Sequence, residues 1–334
     1  LLLYGLNLTP LACTTTRYIF HVACGEAKIL LSQRKVEEVI GDPRFPPESR
    51  ERLLLILKTA DSAEKVLGLK RTRQYRTYAD LETTFTVWVL TLAEPDHLKL
   101  ITFSFPIAGE VPYLGFFDLR MVELVTAQYP SADRYLRQAG AFSTLGYLPD
   151  PILPNFLTMK PEEVIRTVVH ELVHATVFRI GDATWSESVA MSLGDAGSAI
   201  LMEQWGMVEP LERLEKKRED ERRFNELIEG VIGDLEDFYK RTEDPGERLA
   251  YKERRLEAFR KALKETPWKI LRYDRYAEEP INHAFLLAHR VYAGDPAVQE
   301  QWYQSARKDY KRTLRILSER ASKGESLWDP IPPP

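Results

Sequence analysis

Apolar residues recur at helical spacing near the start of the chain. From Arg17 to about Leu31 the pattern is helical. Pro46-Pro47-Glu48 opens a second helix running to about Leu67, with Leu53, Leu54, Leu57 and Ala60 along its apolar stripe and Gly68 as its stop. The period then shortens. Thr83 to Leu92 (TTFTVWVLTL) and Leu98 to Phe105 (LKLITFSF) are rich in β-branched and aromatic residues and flank the turn signal Glu94-Pro95-Asp96, so they predict a pair of antiparallel strands. Tyr113 to Phe117 and Arg134 to Phe142 predict a third and a fourth strand, with a helix over Asp118 to Tyr129 between them. Pro149, Pro151 and Pro154 mark a loop, and beyond it the chain reads as almost wholly helical. Pro161 suits a first helical position, with Glu162 and Glu163 in the turn where the helix dipole favours acids. That helix is expected to run to about Ile180 and stop at Gly181, and the next to begin near Thr184. Glu209 to Glu265 is dense in Glu, Lys and Arg at helical spacing, the pattern of a solvated helix face. The last helices are expected over about Asn282 to Tyr292 and Pro296 to Ala321.

Composition narrows the class. The 334 residues are 44% hydrophobic and 29% charged, which suits a globular protein with a sizeable core. The net charge of −4 lacks the basic excess that a nucleic-acid partner favours, so no nucleic-acid partner is expected. Cys13 and Cys24 are too few for a disulfide framework and are not spaced as a metal knuckle. A bridge between them is one alternative, and the N-terminal pattern offers another use for Cys13. Residues 1–12 read like the back half of an apolar export segment, and Ala12-Cys13 followed by three threonines has the pattern of a bacterial lipoprotein cleavage site. Pro10 and Leu11 fit that pattern poorly, and a packed or disordered N-terminal segment is the plainer reading. No later stretch reaches the ~18 apolar residues needed to span a bilayer, so membrane association, if present, would be by anchoring at a lipidated Cys13.

The chemistry is concentrated in Val169 to Ala175, VHELVHA. On a helix His170 and His174 project from one face one turn apart, a spacing that lets two imidazoles share one metal ion. Glu171 sits one residue round the helix, where a carboxylate can take a proton from an activated water and pass it to a leaving amine. A catalytic zinc site needs a third protein ligand and an open position. None of the other histidines, His21, His97, His283 and His289, follows soon after the motif. The candidate is Glu187, 13 residues beyond His174, with Glu203 in reserve. Glu187 also fits a capping box as Thr184-x-x-Glu187; if it binds metal, Thr184 would cap alone. Two His and one Glu holding one Zn2+ per chain would lower the pKa of bound water to ~7 and polarise a scissile carbonyl. Tyr147 and Tyr113 are candidate oxyanion donors, each equally readable as a packing aromatic, and the strands over Thr83 to Phe105 offer an edge for an extended peptide.

VHELVHATVFRIGDATWSESVA resembles a family of predicted bacterial zinc aminopeptidases that carry FHELAH, a short Gly-Asp loop and Asn-Glu-Ser-Phe-Ala. AFSTLGYLPDPIL (Ala141 to Leu153), FPIAGEVPYLGFF (Phe105 to Phe117) and INHAFLLAHRVY near Ile281 are similar to further segments of that family, in order along most of the chain. The resemblance implies the same roles for His170, Glu171, His174 and Glu187, and an exported or lipoprotein setting in the bacterial envelope. Ser186, Val189 and Leu114 stand where the family has Asn, Phe and Arg, and loss of that Arg leaves any role it has toward substrate in doubt. The Gly-x-Met-Glu-Asn segment with which the large zinc aminopeptidases grip a free amine is absent, so the sequence speaks for a peptidase more than for an aminopeptidase.

The expectation is thus an α+β, mainly helical, zincin-like fold. Residues 13–155 carry the first helices and a small mixed or antiparallel sheet, which packs on the motif helix of a helical, zinc-binding half, 156–334. The expected function is hydrolysis of a peptide substrate by zinc-activated water. Two alternatives stay open: a zinc amidohydrolase acting on a non-peptide or cell-wall amide, and a zinc-stabilised, non-catalytic envelope protein that binds a partner.

Overall fold

The computed structural model describes residues 10–81, 87–105, 109–138 and 150–332. The chain runs α1 (Pro10–Leu31), β1 (Gln33–Lys35), α2 (Val36–Ile40), α3 (Pro47–Ser62), β2 (Thr77–Ala79), β3 (Trp88–Ala93), β4 (Phe103–Phe105), β5 (Gly109–Val111), β6 (Tyr113–Phe116), α4 (Leu119–Thr126) and β7 (Asp133–Gln138). It continues as α5 (Pro161–Thr176), α6 (Ala183–Gln204), α7 (Val208–Tyr239), α8 (Pro245–Glu265), α9 (His283–Ala293), α10 (Pro296–Lys308) and α11 (Tyr310–Lys323). The fold is mainly helical with small antiparallel sheets, consistent with the α+β expectation. Among the described residues no helix is long and apolar enough to cross a membrane. Residues 1–9 lie outside the described part. Cys13 falls within α1, its side chain outside the description, and Cys24 is free and exposed.

The strand pairing differs from the sequence reading. The expected hairpin begins, with Glu94 N donating to Lys99 O and Ile101 N to Leu92 O, but supports only a single bridge, Ala93 to Leu100. The chain then leaves to form the β4–β5 hairpin, and β6 takes that side of β3 instead, with Leu90 opposite Leu114. β7 pairs along the other side, so β3 is the centre of the sheet β6-β3-β7 and offers no edge. The edge strands are β6 and β7, and on β6 Gly115 N, with Phe117 N just after it, already donates to α1, to Tyr18 Oη and His21 Nε2 respectively. Strand alternation sends Leu90, Leu92, Leu114 and Phe116 into a core with Met121, Val122 and Val125 of α4. The opposite face carries Tyr113, Tyr135 and Arg137, and from it Tyr135 packs with Phe285 of α9.

Helix limits follow local chemistry. α3 passes through a π-helical turn (Ala63–Leu67) and ends at Gly68 in the left-handed conformation (φ 76°), as the sequence reading places its stop. α5 ends at Thr176, short of the expected Ile180, because Val177 turns extended; Gly181 (φ 84°) sits in the loop that reverses the chain. The charged stretch is a helical hairpin, broken before Pro245, the first residue of α8. It is solvated on one side only: Asp220 is buried and accepts from the backbone N–H groups of Lys269, Ile270 and Leu271. Asp309 ends α10 and caps α11, dividing the expected final helix.

Candidate metal centre

α5 and α6 bring the site together. The inner side of α5 carries Val164, Ile165, Val168, Val169, Leu172 and Val173, all buried, which fixes the helix's rotation and turns His170 and His174 toward α6. α6 comes close because glycine faces the motif: a methyl group on Gly194 would lie 3.2 Å from His170 Cα. The capping box read from Thr184 does not form. Asp182 is the cap, its carboxylate accepting from Trp185 N at 2.9 Å, and Glu187 is left to turn inward.

His170 Nε2 lies 3.1 Å from His174 Nε2, and Glu187 reaches them at 3.4 Å (Oε2 to His170) and 3.5 Å (Oε1 to His174). Glu187 Oε2 and His174 Nδ1 are buried without a hydrogen-bond partner. Burial would raise the Glu187 carboxyl, but the two imidazoles facing it outweigh burial and hold it well below the usual carboxylate range. His170, which burial would lower, is raised by Glu187 and by the nearby charge of Glu171. The donor set fits zinc. Metal–ligand bonds of ~2.0–2.2 Å in a tetrahedron leave ligand atoms about 3.3–3.6 Å apart, close to the separations of this trio, and the orphaned Glu187 oxygen is one such donor.

Glu171 and His170 share the wall of a cavity of about 320 Å³, which Arg166, Thr167, Met191, Glu221, Phe224, Asn225, Tyr273 and His289 complete. Two tyrosines sense the site. Tyr113 at the start of β6 is raised by burial and then by Glu187, with Arg137 opposing. Tyr75, buried and at φ 59°, is raised by burial and then by Glu171. Sequence reasoning missed Tyr75, because nothing in Arg73-Gln74-Tyr75 announces a left-handed residue held by Asp150 O. Tyr147 lies outside the described residues. The reserve ligand Glu203 is excluded by its ion pair with Arg307, on the far end of α6. A second group, Glu94, Asp96 and His97, is tied up by Lys99 and Arg248.

This geometry places two nitrogen donors and a carboxylate around one point, beside a second carboxylate and an open cavity. Such a grouping could hold a metal ion beside a substrate, and the comparison with known families gives the general class. The chain belongs to the family described as "Putative aminopeptidase", whose model matches residues 17–326. Its general class is therefore that of the peptidases. No curated protein and no solved structure matches the chain.

Proposed function

We propose that this protein is a zinc-dependent peptidase of zincin-like arrangement, holding one Zn2+ on His170, His174 and Glu187. The observation that carries the reading is the close grouping of His170 Nε2 and His174 Nε2, 3.1 Å apart, with Glu187 Oε2 3.4 Å from the first and Glu187 Oε1 3.5 Å from the second. Zinc in such a site would supply Lewis acidity, bringing the pKa of a coordinated water to ~7 and polarising the scissile carbonyl.

The chain's own residues do the rest. Glu171, one position round α5 from His170 and on the cavity wall, is placed to take the proton of the attacking water on its carboxylate and deliver it to the leaving amine. Tyr113, raised toward its protonated form beside Glu187, is suited to donate its hydroxyl hydrogen to the tetrahedral oxyanion. The buried back of α5 keeps these groups in register. Anchoring in the bacterial envelope through a lipidated Cys13 belongs to the same proposal, and mass spectrometry of the native N-terminus checks it.

Glu171→Gln keeps the shape of the site and removes the base. With zinc content unchanged, kcat on peptide substrates should fall by about 10²–10⁴. Full turnover in that variant would sink the mechanism. Bound zinc with no hydrolysis by the wild type would favour the non-catalytic alternative.

A further inference from the structure

We propose that the cavity beside Glu171 is a substrate subsite for a large, uncharged, preferentially aromatic side chain, with the Asn225 amide as its polar contact; this rests on the peptidase reading above. Asn225 lies on α7 and lines the cavity. It is 9% exposed, yet its amide meets no hydrogen-bond partner among the described residues. The amide keeps its opening to the cavity, where its donor and acceptor are available to a polar group of a ligand.

Apart from the base Glu171, the charged groups of the wall are already paired. Arg166 gives Nε to Asp195 at 2.5 Å and Nη1 and Nη2 to the two oxygens of Glu221 at 2.6 and 2.5 Å. Both oxygens of Glu221 are therefore occupied, and a charged ligand would have to break a bidentate pair to reach either partner. Glu221 is accordingly not a free carboxylate for a substrate's α-amine. His289 adds no charge, because burial and then the nearby Arg137 push its pKa down to about 3. Beside Thr167 and Met191, three aromatic rings complete the wall. Phe224 stacks on Tyr273 with centroids 4.2 Å apart, and His289 meets Phe224 edge-on at 5.1 Å. Phe224 is itself buried, so an incoming ring would meet the partly exposed Tyr273 and His289 by the same offset and edge contacts.

The test uses zinc-loaded Glu171→Gln, whose slowed turnover lets binding be read, and a hexapeptide set placing Phe, Tyr, Leu, Ala, Glu or Lys at one position at a time. At one position Phe and Tyr should bind at least about 10-fold tighter than Ala, Glu or Lys. Adding Asn225→Ala should weaken the Tyr peptide, whose hydroxyl can meet the amide, by about 3- to 10-fold, the worth of one hydrogen bond, weaken the Phe peptide less, and leave the ranking at other positions unchanged. The isosteric Asn225→Asp, which tests the same group without opening a void, should shift that position toward Lys. A preference for Glu or Lys at every position, or Asn225 variants indistinguishable from the parent, would overturn the subsite. Hydrolysis by the wild type is measured separately. Selective, Asn225-dependent binding without any hydrolysis would refute the peptidase reading while upholding the subsite, and hydrolysis indifferent to Asn225 would do the reverse.

Discussion

Asp182 does the capping at the start of α6, and that leaves the Glu187 carboxylate, one turn further on, for His170 and His174. A side chain with two available uses is settled by which neighbour takes the other one. His170, His174 and Glu187 were legible in the sequence because local periodicity sets their directions. Asn225, Tyr75 and the wall role of His289 were not, because packing between distant segments defines their surroundings. His289 yields a residue-scale prediction. Its folded pKa, pushed down to about 3, lies below the ~6.5 of an unfolded histidine, so only the unfolded chain takes up that proton between those values. The contribution is complete above about pH 6.5 and is lost as pH falls toward 3. Between pH 7.5 and 5 the wild type should therefore lose on the order of 2 kcal/mol more stability than His289→Leu, measured by urea unfolding. Equal losses would contradict the assignment.

At the scale of elements, the site depends on how closely α6 approaches α5. Gly194 faces His170, and a methyl group on Gly197 would meet Leu67 Cδ1 at 2.7 Å. Gly194→Ala should push the helices apart, costing about 1–3 kcal/mol by thermal unfolding and weakening zinc binding. Gly230→Ala on α7, where a new methyl group meets nothing within 4 Å, should instead stabilise by about 0.4–1 kcal/mol. Equal effects at the two glycines would mean that the close approach does not matter. Elements themselves were readable where one signal dominates: Pro161 starts α5, and Gly68 closes the α3 segment. The strands were readable as strands but not in their partners. Thr83 to Phe105 contains a true turn, yet partner choice went to β6 and β7, which lie beyond any local signal. The break before Pro245 has a local signal in Asp244-Pro245-Gly246, but the reading of Glu209 to Glu265 as one charged helical stretch passed over it.

At the scale of the molecule, three cores meet around the site. One joins α3, α5, α6, α10 and α11 and holds Trp185 and Trp302, both fully buried, with Trp185 Nε1 donating to Leu327 O at 2.9 Å. Fully burying a large apolar side chain stabilises by roughly 1.5–3 kcal/mol, so this core gives α5 and α6 a rigid seat. The second packs α7, α8 and α9 and, through Phe224, forms one cavity wall. The third backs the sheet whose other face carries Tyr113 and Arg137. The central claim, that two imidazoles of α5 and one carboxylate of α6 hold a single zinc ion, is tested most directly by zinc K-edge X-ray absorption on protein loaded with one equivalent. The account predicts a four-coordinate shell of two imidazole nitrogens and light oxygen donors at ~2.0–2.2 Å, with the imidazole signal lost in His170→Ala/His174→Ala. A shell containing sulfur, or one unchanged in that double variant, would contradict it.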